Sequence, residues 1–399
     1  MKLVIIDPDI SLCSPAMKGM IRSFPAIKQA GFEIEIWCWD CDAGLQVDRI
    51  VKLSSTGARL LGPFRGIWFG AQVALRSWWL FTVLGRHRAD LVYSVLPYLP
   101  DCDVAHAHFS SWDWEARMKA MGNHSLRDWL ERGSNWIGKL WTENFLRRTR
   151  ASTLIVPSDA VADDFRRVSD HRGIVVLPNS YDAARFNLGV RDRWRDSQRK
   201  ALGYTAEDRV FLFVSMGHHR RKGFFLAAAA VQQLQAAHPE ARLLVVGGRP
   251  KTLERLKRWL DAECPGWTEW LHFAGNTSEP EKFMAAADAF LFPSYSEAFA
   301  LVEVEAAACG LPLFLTHHHG SEMILENGVN GSLIEFDPAH IAKTLSLFLT
   351  GEWVQKRPGL KRALDSEAYA AELVRVLRSS VSRTSAADRP LQPAPATSL

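Results

Sequence analysis

Cysteine is scarce: six residues, at 13, 38, 41, 102, 264 and 309, are scattered through 399. Cys38 and Cys41 form the sole C-x-x-C, at the end of an apolar strand-like run, with no second pair to complete a zinc site. They read as reduced thiols of a cytosolic protein. A long apolar run is missing too. The nearest approach, Ile67 to Leu84, contains Gly70, Gln72, Arg76 and Ser77 and falls short of a bilayer span. The opening MKLVIIDPDI has too short an apolar stretch for a signal peptide and no small-residue cleavage site, so it is expected to be a first β-strand. Charge of either sign is not in excess. A net +4 gives no overall field for nucleic acid, and any preference for anions must come from local clusters.

What is present is apolar material for more than one core: 47% hydrophobic and 23% charged over a length that suits two domains. From Arg209 the chain alternates sharply between apolar strands and helices: RVFLFVSM, a helix from Gly223, RLLVVGG, a helix from Thr252, EWLHFAG, a helix from Glu279, DAFLFPS, a helix, LPLFLT. Continuous apolar strands between helices predict a parallel sheet covered on both faces. Residues 1–185 alternate less clearly, with strands at Asp90 to Val95 and at Asp103 to Phe109. The expected fold is α/β: two doubly wound, Rossmann-like domains facing each other across a cleft and joined near Leu177 to Asn187. The boundaries are 1–185, 186–355, a helical segment 356–378 crossing back to the first domain, and a disordered Ser/Ala/Pro-rich tail, 379–399.

Chemistry concentrates in the second half. In DAFLFPSYSEAFALVEVEAAACGLP a strand runs into a loop carrying Glu297, and a helix begins near Phe299. Free N–H groups of Phe299, Ala300 and Leu301 and the helix dipole favour an anion such as a diphosphate. Glu305, one to two turns in, can accept from two ribose hydroxyls. Upstream, V-S-M-G-H-H-R-R-K-G-F-F ends a strand at Gly217 and gathers His218, Arg220, Arg221 and Lys222 at its carboxyl end. In the first half D-V-A-H-A-H-F-S-S-W sets His106 and His108 on one strand face, with His108 at the carboxyl end. His317, His318 and His319 read as loop residues bordering this cleft, and no metal site is expected.

The E-A-F-A-L-V-E-V-E segment followed by A-A-A-C-G-L-P resembles the E-x7-E donor motif of retaining GT-B glycosyltransferases of family 4. The likeness extends over about residues 150 to 350 through V-P-S-D-A-V-A-D-D-F, V-L-P-N-S-Y-D and A-R-L-L-V-V-G-G. Arg221-Lys222-Gly223 is most similar to the lipopolysaccharide-core glucosyltransferase group. The resemblance implies transfer of a hexose or heptose, UDP-glucose-like, to a glycan or glycolipid in envelope polysaccharide or lipopolysaccharide synthesis, with retention and without metal or other cofactor. It implies Arg221, Lys222, Glu297 and His108 as catalytic residues, with Gly217, His218, Arg220, Phe299, Ala300, Leu301 and Glu305 holding the donor. It also marks departures: His218 stands where the family has a basic residue, and Ser14-Pro15 replace a glycine pair in the acceptor-side loop, where Pro15 removes a backbone donor. Two other readings follow: a non-catalytic partner subunit of the same fold, and a sugar-nucleotide epimerase or hydrolase. Residues 65–88, with four arginines, no acid and Trp68, Trp78 and Trp79, suit peripheral contact of a cytoplasmic protein with the inner face of a membrane. They suit equally a helix packed on the first sheet.

Overall fold

The computed structural model describes residues 1–12, 14–56, 65–80, 89–95, 98–110, 112–114, 117, 126–171 and 173–387. Its strands are β1 (Lys2–Ile6), β2 (Asp9–Ile10), β3 (Glu33–Cys38), β4 (Asp40–Cys41), β5 (Arg49–Lys52), β6 (Leu91–Val95), β7 (Val104–His106), β8 (Thr153–Val156) and β9 (Ile174–Val176) in the first half. The second half supplies β10 (Arg209–Val214), β11 (Ala241–Val246), β12 (Leu271–Gly275), β13 (Ala289–Phe292), β14 (Leu313–Thr316) and β15 (Gly331–Ile334).

Two parallel sheets result, of seven strands in the order β5-β3-β1-β6-β7-β8-β9 and of six in the order β12-β11-β10-β13-β14-β15. The runs predicted as strands pair because they are apolar on both sides: Val210 to Phe213, Leu243 to Val246, Ala289 to Phe292 and Leu313 to Leu315 are all buried. In each sheet the order reverses once, between β1 and β6 and between β10 and β13. Such a reversal opens a crevice at the strands' carboxyl ends, where α/β folds take ligands.

Ionic anchoring supplements the apolar core. The helix Val190–Leu202 lays Arg191, Arg195 and Arg199 at 3.4, 2.6 and 3.2 Å from Asp288, just before β13. Burial alone would raise that carboxyl, but the N–H of Val210 and the Arg195 and Arg199 guanidiniums hold it below its ordinary range.

Two expectations need correction. The tail does not begin at 379: the helix Ser366–Ala387 continues past that point to Ala387, and Ser380, fully buried, bonds Thr153 at 2.9 Å. This helix crosses to the first sheet, where Tyr369, Leu373, Val376 and Leu377 pack among Leu3, Ile5, Ile27 and Tyr93. A Ser/Ala composition that looked too polar to fold finds its apolar face a partner. The strand expected at Asp103 to Phe109 is likewise only three residues, ending at His106. Residues 388–399 lie outside the described residues.

In the segment 65–88, the helix Arg65–Trp78 buries Phe69, Gly70 and Val73 against the first sheet and exposes Ile67, Trp68, Leu75 and Trp78, followed by exposed Trp79. The buried face packs on the first sheet, as one of the two readings expected, and residues 81–88 lie outside the described residues. Among the described residues no helix is long and apolar enough to cross a membrane.

Candidate active site

The loop after β10 carries Gly217, His218, His219, Arg220, Arg221 and Lys222 to the helix Phe224–Leu234. Gly223 caps that helix with φ +80°, and a Cβ there would run into the carbonyl of Pro293, just past β13. Only glycine lets the cationic loop lie this close to the loop of Glu297. His218 has φ +56°, unusual outside glycine, and its carbonyl accepts from the Lys222 N–H at 3.0 Å. Arg220 is exposed and lines, with Gly223, Phe225, Leu226 and Tyr295, a cavity of about 240 Å³.

Glu297, 9% exposed, is the meeting point. Lys222 Nζ lies 3.2 Å and Arg221 Nη1 3.4 Å from its Oε1, and the Ser294 hydroxyl donates to it at 3.1 Å. Burial would raise this carboxyl, yet the charges of Lys222 and Arg221 outweigh burial and bring it down to about 2. Lys222 also rests over the Phe292 ring at 5.0 Å. Burial and then Lys222 push the neighbouring His219 down to about 4.

The following helix begins at Leu301, two residues later than expected, and ends at Ala308. Phe299 is pinned by the close approach of Gly320, where an added Cβ would sit 2.9 Å from the Phe299 Cα. The Glu303 N–H bonds back to the Ala300 carbonyl, so Leu301 and Val302 carry the N–H groups of the first turn. Glu303 is no surface carboxylate: it is fully buried and bonds His318 Nε2 at 2.6 Å. Burial lowers the pKa of His318, but the Glu303 carboxylate overrides burial and raises it above the ordinary value. Glu305, 7% exposed, is pushed by burial to about 7 despite Lys18, whose Nζ lies 3.8 Å away.

Lys18 comes from the first half. Pro15 opens the helix Pro15–Arg22 at a position needing no N–H, and the Ser14 carbonyl accepts from Met17 and Lys18 at 3.1 and 3.0 Å. The loop at Ser14 therefore turns straight into a helix that offers Lys18 to Glu305. Further contacts join the halves: the Ser296 hydroxyl donates to Asp113 at 2.6 Å, Arg117 donates to the His317 carbonyl at 3.2 Å, and His319 stands 3.8 and 3.7 Å from Asp113 and Asp164. His108, beyond the end of β7, lies against His106 with ring centroids 3.9 Å apart, and burial drops it to about 4.

The structure thus brings Arg221, Lys222 and Glu297 into one cluster and places Glu305 one helix turn and more away, facing Lys18. Residues 195–369 match the family described as Glycosyl transferases group 1, and residues 25–185 match Glycosyltransferase Family 4. The chain belongs to the group 1, family 4 glycosyltransferases.

Other likenesses agree with this family. A D-inositol 3-phosphate glycosyltransferase of Corynebacterium jeikeium is 34% identical over 207 residues, 49% of this chain and 48% of its own. Its counterpart in Mycolicibacterium smegmatis is 30% identical over 262 residues, 62% and 56% respectively. The chain thus spans about half the length of the curated relatives it matches. The fold is that of WaaG, a glycosyltransferase involved in lipopolysaccharide biosynthesis (TM-score 0.64, 18% identity, 96% of this chain and 98% of that one). Anabaena HepE in complex with UDP-glucose is also similar (TM-score 0.61, 18% identity, 97% and 100%). The two parallel sheets of this chain make the GT-B fold. Within this family 4 chain, Lys18, Asp113 and Glu303 had no signal in the sequence, because their partners lie on other segments; His318, read as a loop residue bordering the cleft, is the fully buried partner of Glu303.

Proposed function

We propose that the protein transfers a hexose or heptose from a nucleotide diphosphate sugar, UDP-glucose-like, to a glycan or glycolipid hydroxyl with retention of configuration, in envelope polysaccharide or lipopolysaccharide synthesis. The observation that carries the reading is the Lys222–Glu297–Arg221 cluster at the reversal between β10 and β13. Two cations there can neutralise a departing diphosphate, whose charge grows as the glycosidic bond breaks. The Leu301 N–H at the adjacent helix start adds a fixed dipole, beside Phe299 and Ala300. Gly217, His218 and Arg220 border the same phosphate region. Glu297 and His108 hold the sugar and Glu305 the ribose. The UDP-glucose complex of HepE supports a donor of this class.

In this reading residues 1–185 form the acceptor side, with Ser14 and Pro15 at its loop, 186–355 the donor side, and the segment from 356 returns to the first. The exposed Ile67, Trp68, Leu75, Trp78 and Trp79 support peripheral contact with a membrane holding a lipid-linked acceptor. A second reading takes an inositol phosphate as acceptor. The names of the curated relatives and the cations Lys18 and Arg22 on the first helix favour it.

The test is nucleotide release from UDP-, GDP- and ADP-sugars with glycolipid acceptors and with D-inositol 3-phosphate, the product's anomeric configuration being read by NMR. Release that requires an acceptor supports transfer. Sugar conversion or release with donor alone would instead mean an epimerase or hydrolase, and donor binding without turnover a non-catalytic subunit.

A further inference from the structure

Beneath His108 lies a buried couple that the proposed reaction does not use. Tyr93 of β6 is fully buried, and among the described residues its hydroxyl has one partner, Nδ1 of His106 at the end of β7. Burial pushes the phenol well above its ordinary pKa, so its proton stays in place. A buried hydroxyl with a single partner leaves no hydrogen unmet only if it donates. His106 Nδ1 is then the acceptor, and the neutral ring carries its proton on Nε2. Taking a second proton on Nδ1 would reverse this bond and leave the buried phenol hydrogen without an acceptor, so the couple favours an uncharged His106 against the His108 ring 3.9 Å away.

Three nitrogens of this stack, His106 Nε2 and both of His108, are buried without a hydrogen-bond partner among the described residues. Leaving each such group unmet costs about 1–3 kcal/mol, which a ligand that completes the bonds recovers. Neutral imidazoles suit hydroxyls, which both give and accept, and suit phosphate poorly; the phosphate-binding charge is at Lys222 and Arg221.

We propose that Tyr93 and His106 are positioning residues that hold the His108 ring neutral and oriented to bond a hydroxyl of the transferred sugar. The inference rests on the transferase reading for its sugar and on the stack alone for its couple. The experiment uses the full chain and two variants, Tyr93→Phe, which removes one oxygen, and His106→Gln, each checked for an unchanged melting temperature. Nitrogen-15 NMR of the imidazoles is expected to show His106 as the Nε2–H tautomer, and Tyr93→Phe to mix the two tautomers. UDP release from UDP-glucose is expected to fall about tenfold in kcat with donor KM little changed, the loss of about one hydrogen bond. On a His108→Ala background the same substitutions should change kcat less than about twofold, since they act through that ring. An Nδ1–H tautomer in the wild type, or losses that multiply with that of His108→Ala, overturns the proposal. A wild type that releases no UDP removes the sugar-donor reading, while the tautomer still decides whether Tyr93 sets the state of His106.

Discussion

Lys222→Ala perturbs the cluster at its centre, and its two consequences can be separated. A carboxyl moved from 4.5 to about 2 is held in its charged form by about 3 kcal/mol. Lys222 is the largest favourable contributor, ahead of Arg221, so its loss should remove about 2 kcal/mol of stability. Because the folded value of Glu297 lies below the unfolded one, this stabilisation is present above pH 4.5 and disappears as pH falls toward 2; the variant should lack it throughout. Turnover should drop further, by about 10²–10³, because a cation that faces the growing diphosphate charge acts mainly in the transition state. Lys222 is a loop cation, a kind that ordinarily contributes little to folding. Its side chain, packed over Phe292 and only 16% exposed, makes stability part of the outcome. The double variant Lys222→Ala/Glu297→Gln distinguishes the effects, since it leaves no uncompensated carboxylate: thermal melts should return toward wild type while kcat stays low. Recovery of kcat in the double variant, or near-normal transfer by Lys222→Ala alone, would refute the assignment of Lys222 to the leaving group.

Four further outcomes follow from the structure. Glu305, raised to about 7, is a full acceptor only when ionised, so affinity for a nucleotide sugar measured by calorimetry should tighten as pH rises through about 7, and Glu305→Gln should flatten that dependence. The same raised value works against folding: the native state gains protons relative to the unfolded one between 4.5 and about 7, and its contribution to stability declines as pH rises across that window. Gly223→Ala should cost upward of about 2 kcal/mol in denaturant titrations, combining left-handed backbone strain with a collision at Pro293, and should reduce kcat by displacing Lys222. Replacing Trp68, Leu75 and Trp78 together by serine should leave the melting temperature within a few degrees yet abolish sedimentation with anionic vesicles, an outcome that retention of binding would contradict.

The second sheet was legible because its strands are buried on both faces, so β10, β11, β13 and β14 appear as unbroken apolar runs between helices. Helix ends were less legible. The helix expected near Phe299 starts at Leu301 because Gly320, from another loop, holds the intervening backbone extended. Spacing singled out Glu305 and gave no sign that Glu303 is buried as well. Both are buried, and their different roles come from His318 for the first and Lys18 for the second.

By itself, then, the sequence determined the alternation of strands and helices and the gathering of Arg221, Lys222 and Glu297 at strand carboxyl ends, since periodicity and local order suffice for both. Only the tertiary structure decided that the helix Ser366–Ala387 completes the first core, that Lys18 reaches Glu305 and that Asp113 takes the Ser296 hydroxyl. Those pairings join segments far apart in the chain, and whether a charge or hydroxyl is buried depends on which distant surface covers it, a quantity that local sequence does not encode.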